Sequence, residues 1–183
     1  MPSKEQFKHE EFCAKTLISL CGERLEFERR GNDQTEPDTI FSGENDLLGI
    51  EVTSAFFQGD ANDPNAHAQK AWKFAENPTF DDQGFHEIFQ GSNPYLRLEQ
   101  SIKRLLEQKC SKSYQSPARV WLCIYAEREA LVDLSELDAI IDGLEVPSKH
   151  SFERIFILHK LWSGEGIGYR GIELFPVFCE YRS

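Results

Sequence analysis

The segment Ala118–Ala126, ARVWLCIYA, is an almost unbroken apolar run. It is the right length for a strand and has no polar alternate face. Such a strand belongs at the centre of a sheet that is covered on both sides. Helices to cover it are legible nearby. From Lys4 to Cys21, the residues Phe7, Glu11, Ala14, Ile18 and Cys21 recur at helical spacing, and Gly22 follows as a stop. From Tyr95 to Tyr114, Leu98, Ile102, Leu105 and Leu106 form the apolar stripe of a second helix. Ser135–Leu144 reads as a short third helix with Ser135 as its cap.

The remaining strands follow from alternation and turn residues. Arg24–Arg30 alternates like a strand, and Pro37–Ser42 and Leu47–Phe56 form two more around the turn Gly43-Glu44-Asn45-Asp46. Arg154–Lys160 is a further strand, and Gly166–Phe178 suggests a terminal hairpin around Tyr169-Arg170-Gly171. Residues 57–95 break the pattern. They are rich in Asn, Asp, Pro and Gly with scattered aromatics, include a short helix at about Asn65–Ala75, and read as an insertion or lid. The element order predicts a single α/β (α+β) domain over 1–183, a mixed sheet flanked by helices.

Bulk properties narrow the function classes. The 183 residues are 40% hydrophobic and 28% charged, an ordinary globular balance with room for a sizeable core. No segment is apolar for the roughly 18 residues a membrane helix needs, and the first residues show no signal-type apolar region. The five cysteines have no CxxC spacing and sit mostly in apolar contexts, which fits reduced thiols in the cytoplasm. No His–Cys spacing suits zinc, and no GxSxG, Walker A or GxGxxG motif occurs. The net charge of −11 argues against a broad electrostatic grip on nucleic acid, which depends on Lys and Arg at phosphates.

Two acids carry the chemistry. Asp38 follows Pro37 at the head of one strand, and Glu51 lies thirteen positions on, inside the next. On neighbouring strands their carboxylates can converge, as a hard ion such as Mg²⁺ or Mn²⁺ requires. Glu51 and Thr53 share one strand face, with Ile50 and Val52 on the other. Pro37-Asp38 followed by Glu51-Val52-Thr53 resembles the PD-(D/E)xK nuclease superfamily, with its restriction-endonuclease-like fold. Residues 5–56 and 96–126 cover that core. Thr53 stands where the pattern usually has lysine. In the first helix, Glu11, Ala14, Ile18 and Gly22 match the family's spacing.

The resemblance implies Glu11, Asp38 and Glu51 as metal ligands, with the backbone carbonyl of Val52 as a further one. It implies Asp38, Glu51, Thr53 and Lys109 as the catalytic set. Lys109, on the second helix's stripe, is the candidate substitute for the missing lysine, and Tyr114 completes a pattern of several branches. Lys103 and Lys112 are less well phased. The implied activity is Mg²⁺- or Mn²⁺-dependent hydrolysis of nucleic-acid phosphodiesters, DNA first. A homodimer or a protein partner is compatible with it.

Plainer readings stand beside this one. Pro-Asp is an ordinary turn dipeptide, Glu51 suits an exposed strand face, and Thr53 is a good strand former. Glu11 suits a helix rim, and Lys109 near a helix end is explained by the dipole and its apolar stem. The missing lysine and the net acidity favour an alternative: a nuclease-fold protein without catalysis that binds or regulates a protein partner. A nucleic-acid mimic would also account for the charge.

Overall fold

The computed structural model describes residues 4–32, 35–44, 46–55, 94–126, 134–163, 166–175 and 180–182. Three helices are described, α1 (Lys4–Leu20), α2 (Pro94–Cys110) and α3 (Leu134–Asp142). The strands are β1 (Glu26–Arg30), β2 (Thr39–Ser42), β3 (Leu47–Ala55), β4 (Arg119–Ala126), β5 (Arg154–Ser163), β6 (Gly166–Phe175) and β7 (Glu180–Arg182). They form one mixed sheet in the order β1-β2-β3-β4-β5-β6-β7. The first three are an antiparallel meander. β3, β4 and β5 are parallel, and β6 and β7 return antiparallel. Of the anticipated insertion, residues 57–93 lie outside the described residues, and so does its helix at Asn65–Ala75. No helix among the described residues is long and apolar enough to cross a membrane.

The apolar run at β4 is central, as its composition demands. Successive strand side chains point to opposite faces, so Trp121, Cys123 and Tyr125 join α1's core while Val120, Leu122 and Ile124 join that of α2 and α3. β3 divides differently. Leu48, Ile50 and Val52 enter the α1 core, which leaves Gly49, Glu51 and Thr53 toward α2. Leu98, Ile102, Leu105 and Leu106 of α2 are all buried. Each stabilises by roughly 1.5–3 kcal/mol. Together they fix the phase of α2, and with it the direction of Lys109 one turn on.

The phase of α1 differs from the expected one. Its buried residues are Glu10, Cys13, Ala14, Leu17 and Ile18. Leu17 and Cys13, both fully buried, turn the helix so that Glu10 and not Glu11 shares the inner face. The helix ends in a Schellman arrangement. Glu23 N donates to Ile18 O over 3.2 Å and Gly22 N to Ser19 O over 3.1 Å, with Gly22 at φ 69°, a conformation glycine adopts without strain.

Two boundaries also depart from expectation. α2 ends at Cys110 rather than Tyr114, because Lys112 N turns back to Lys109 O and Ser111 Oγ donates to Gln108 O. The expected hairpin at Tyr169-Arg170-Gly171 is continuous strand, paired with β5 as Lys160↔Tyr169, His159↔Arg170 and Leu158↔Gly171. The polar residues that looked turn-like are buried with partners. Arg170 donates to Asp138 over 2.8 Å, and Arg154 donates to Glu173 over 2.5 Å. Cys13, Cys110 and Cys123 are buried thiols outside any disulfide among the described residues, and Cys21 is a half-buried one; Cys179 lies outside the described residues.

Candidate functional site

β2 and β3 bring the two acids together. Thr39 pairs with Ile50, so continuing the register one step sets Asp38 opposite Glu51, where side chains share a face. Pro37 is buried at the strand entrance, and Gly31 N donates to Asp38 O over 3.1 Å. Asp38 Oδ2 accepts a hydrogen bond from Val52 N over 2.8 Å. Thr39 Oγ1 donates to Ile50 O over 3.1 Å, closing the adjoining step. Gly49 makes the corner. A Cβ there would stand 2.2 Å from Pro37 Cγ and 2.9 Å from Pro117 Cδ, so only glycine lets both prolines close on the strand.

Glu51 is 2% exposed. A buried carboxylate is costly unless it is paired and hydrogen-bonded. Lys109 Nζ donates to Glu51 Oε1 over 2.7 Å, and Lys112 Nζ donates to the same oxygen over 2.9 Å. Burial raises the Glu51 pKa, and the charge and hydrogen bond of Lys109, aided by Lys112, reverse this and leave it below the usual carboxylate range. The Lys112 ammonium loses some proton affinity to burial and regains more from Glu51, ending above the ordinary lysine value.

Asp38 behaves in the opposite way. Burial, then the charges of Glu51 and Glu10, push its carboxyl up to about 7 against the Val52 amide and Lys109. The buried Glu51 and the half-buried Asp38 thus have divergent proton affinities because only one carries the lysines. Glu10 is 6% exposed on α1 and accepts from Gln6 Nε2 over 2.8 Å. Tyr114 packs on Phe152 with ring centroids 5.7 Å apart. Burial, the Glu51 charge and the approach of its hydroxyl to the Glu51 side chain raise its phenol, although among the described residues the hydroxyl completes no hydrogen bond.

The residues expected from the sequence are therefore partly assembled. Asp38, Glu51 and Lys109 meet. Thr53 is half-buried two positions beyond Glu51. The Val52 amide donates to Asp38 Oδ2, while its side chain enters the α1 core. Glu11 faces away, in an ion pair with Lys15 at 2.5 Å. Glu10, its neighbour on α1, is the acid whose charge adds to that of Glu51 in raising Asp38. Two further charged residues stand at this cluster. Glu10 lies seven before Leu17, a spacing that would have found it. Lys112 lies beyond the helix end, where helical phase carries no information. Lys103, the other lysine set aside, pairs with Glu99 at 2.6 Å.

The residues fit one kind of metal site and not another. Among the described residues, no group of three or more His, Cys, Asp or Glu side chains could hold a metal ion. Two neighbouring carboxylates, one of them crowded by like charge, suit a hard ion that keeps waters and substrate oxygens as its other ligands. No match was found to a protein-family model, to a curated protein or to a solved structure.

Proposed function

We propose that this protein is a divalent-cation-dependent nuclease with a restriction-endonuclease-like core, hydrolysing phosphodiester bonds of nucleic acid, DNA first. The observation that carries this reading is the placement of Asp38 opposite Glu51 with Lys109 on Glu51 Oε1. The element order supports it: a helix, an antiparallel meander bearing the acids, a helix bearing the lysine, then a parallel strand.

Asp38 and Glu51 would hold Mg²⁺ or Mn²⁺, which supplies an activated water and neutralises phosphate charge when bound. Asp38 is held in place by the Val52 amide, so its remaining oxygen has a fixed direction. Lys109 replaces the lysine absent at Thr53. It reaches the same acid from α2 instead of from β3, and its ammonium would stabilise negative charge building on phosphate. Glu10 adds negative charge behind Asp38 and strengthens the pull on a cation.

The second reading, a nuclease-fold protein that binds a protein partner without catalysis, draws on a different observation. Lys109 and Lys112 both pair with Glu51, so protein groups alone balance its charge. Incubation with Mn²⁺ and single- and double-stranded DNA and RNA separates the two. The nuclease reading predicts cleavage that falls by at least about 100-fold in Asp38→Asn and Glu51→Gln, a loss of some 2.7 kcal/mol or more in transition-state stabilisation. Circular dichroism should show both variants folded. Absence of cleavage on all four substrates would favour the partner-binding reading.

A further inference from the structure

One carboxylate oxygen serves two ammonium groups at Glu51, and the two are not equivalent. Lys109 is 14% exposed and projects from α2, whose phase is fixed by its buried stripe. Lys112 is 42% exposed and lies past the helix end. Its main chain is nevertheless well held. Lys112 N donates to Lys109 O over 3.0 Å, and Ser151 Oγ donates to Lys112 O over 3.1 Å. Three residues on, Gln115 N donates to Thr35 O over 2.9 Å, tying this connection to the loop before Asp38. The backbone is therefore anchored at the mouth of the site while a long, partly solvated side chain reaches in.

Two ammoniums on one oxygen repel each other, so the second adds less than the first. A partly exposed ion pair is also weak. A divalent cation approaching Glu51 brings more charge than either lysine and needs that carboxylate's lone pairs. Lys112 is the ammonium whose release costs less, because water can take over its hydrogen bonds.

We infer that Lys112 is an exchangeable counter-ion. It neutralises Glu51 in the cation-free protein and leaves when a divalent cation binds. Its freed ammonium, still held at the mouth by the anchored connection, then meets an anionic oxygen of the substrate. The inference rests on the cation-dependent reading above and names the substrate-facing cation within it. A residue with a purely structural role would stay on Glu51.

The test is lysine acylation by an amine-directed acetylating reagent, read by peptide mass spectrometry on the whole chain, with and without millimolar Mn²⁺. Thermal unfolding is followed on the same samples. Lys112 labelling should rise severalfold with Mn²⁺ in the wild type and stay level in Asp38→Asn. Lys103 labelling should not change. Lys112→Met should lower the Mn²⁺ concentration for half-maximal thermal shift by roughly fivefold, the scale of one weak ion pair. A Mn²⁺-induced rise in Tm with level Lys112 labelling would overturn the exchange and leave the cation site standing. If neither Tm nor labelling responds, the cation-dependent reading fails and the inference with it.

Discussion

Lys109 Nζ donates to Glu51 Oε1 over 2.7 Å, joining residues 58 positions apart. This contact ties α2 to β3 at the point where a buried strand face carries an acid. Burying Glu51 requires an ammonium, and docking α2 supplies one. The pair is part of the fold as well as the candidate chemistry.

Lys109→Met should therefore destabilise the protein by about 2–4 kcal/mol, because a nearly buried carboxylate loses its better partner. Lys112→Met should cost less than about 1 kcal/mol, since that lysine is 42% exposed. Urea unfolding of both variants measures the difference. Equal losses would contradict the ranking.

The pH dependence has a definite sign. The Asp38 carboxyl, pushed up to about 7 by burial and then by Glu51 and Glu10, binds a proton in the folded state that the unfolded chain releases near pH 4. The stability contributed by Asp38 is then full below about pH 4 and is lost as pH rises through 7, with a slope near 1.4 kcal/mol per unit. His9 and His159 oppose this. Burial lowers both to about 4, with Arg170 adding to the effect at His159, so their contribution is lost as pH falls from about 6.5 toward 4. The wild type minus Asp38→Asn difference isolates the acid. That difference should decline between pH 4 and 7 in urea titrations, and a flat difference would show that Asp38 ionises normally.

His159 allows a separate check. It is 2% exposed, and among the described residues neither ring nitrogen has a hydrogen-bond partner. A buried polar group without a partner lowers stability. His159→Leu should raise Tm, more at pH 5 than at pH 8, where the wild-type ring carries no charging penalty. A fall in Tm at both pH values would mean that the imidazole has a stabilising role.

Gly49→Ala probes the geometry behind Asp38. The new methyl would collide with Pro37 and Pro117, and forced rearrangement in a packed region typically costs 1–3 kcal/mol. Because Pro37 precedes Asp38, the variant should also weaken any response to Mn²⁺. A variant as stable as the wild type, with an unchanged response, would show that the prolines do not position the acid.

The sheet was legible where the side-chain pattern had one reading. The apolar run at β4 could only be a strand covered twice, and the Asp38–Glu51 spacing suited one hairpin register. The stripe of α1 was ambiguous by one position, since Phe7 and Cys21 suggested a face that Cys13 and Leu17 override. That shift exchanged Glu11 for Glu10. Lys109 was visible because a helix transmits phase from Leu106 to the next turn. Lys112 was not, because its reach depends on the turn after Cys110 and on Ser151, 39 residues away. The misplaced hairpin at Tyr169-Arg170-Gly171 has a similar cause. Its turn-like composition is that of a strand whose buried polar residues find their partners only in the tertiary structure.

The central claim, that Asp38 and Glu51 form a cation site, is tested most directly by calorimetric titration of Mn²⁺ into the wild type and Asp38→Asn at pH 7.5. The account predicts saturable binding to the wild type, with proton release that grows as the pH is lowered toward 7. It predicts binding at least about tenfold weaker in Asp38→Asn, a loss of some 1.4 kcal/mol or more. Equal binding by both proteins, or none by either, would contradict it.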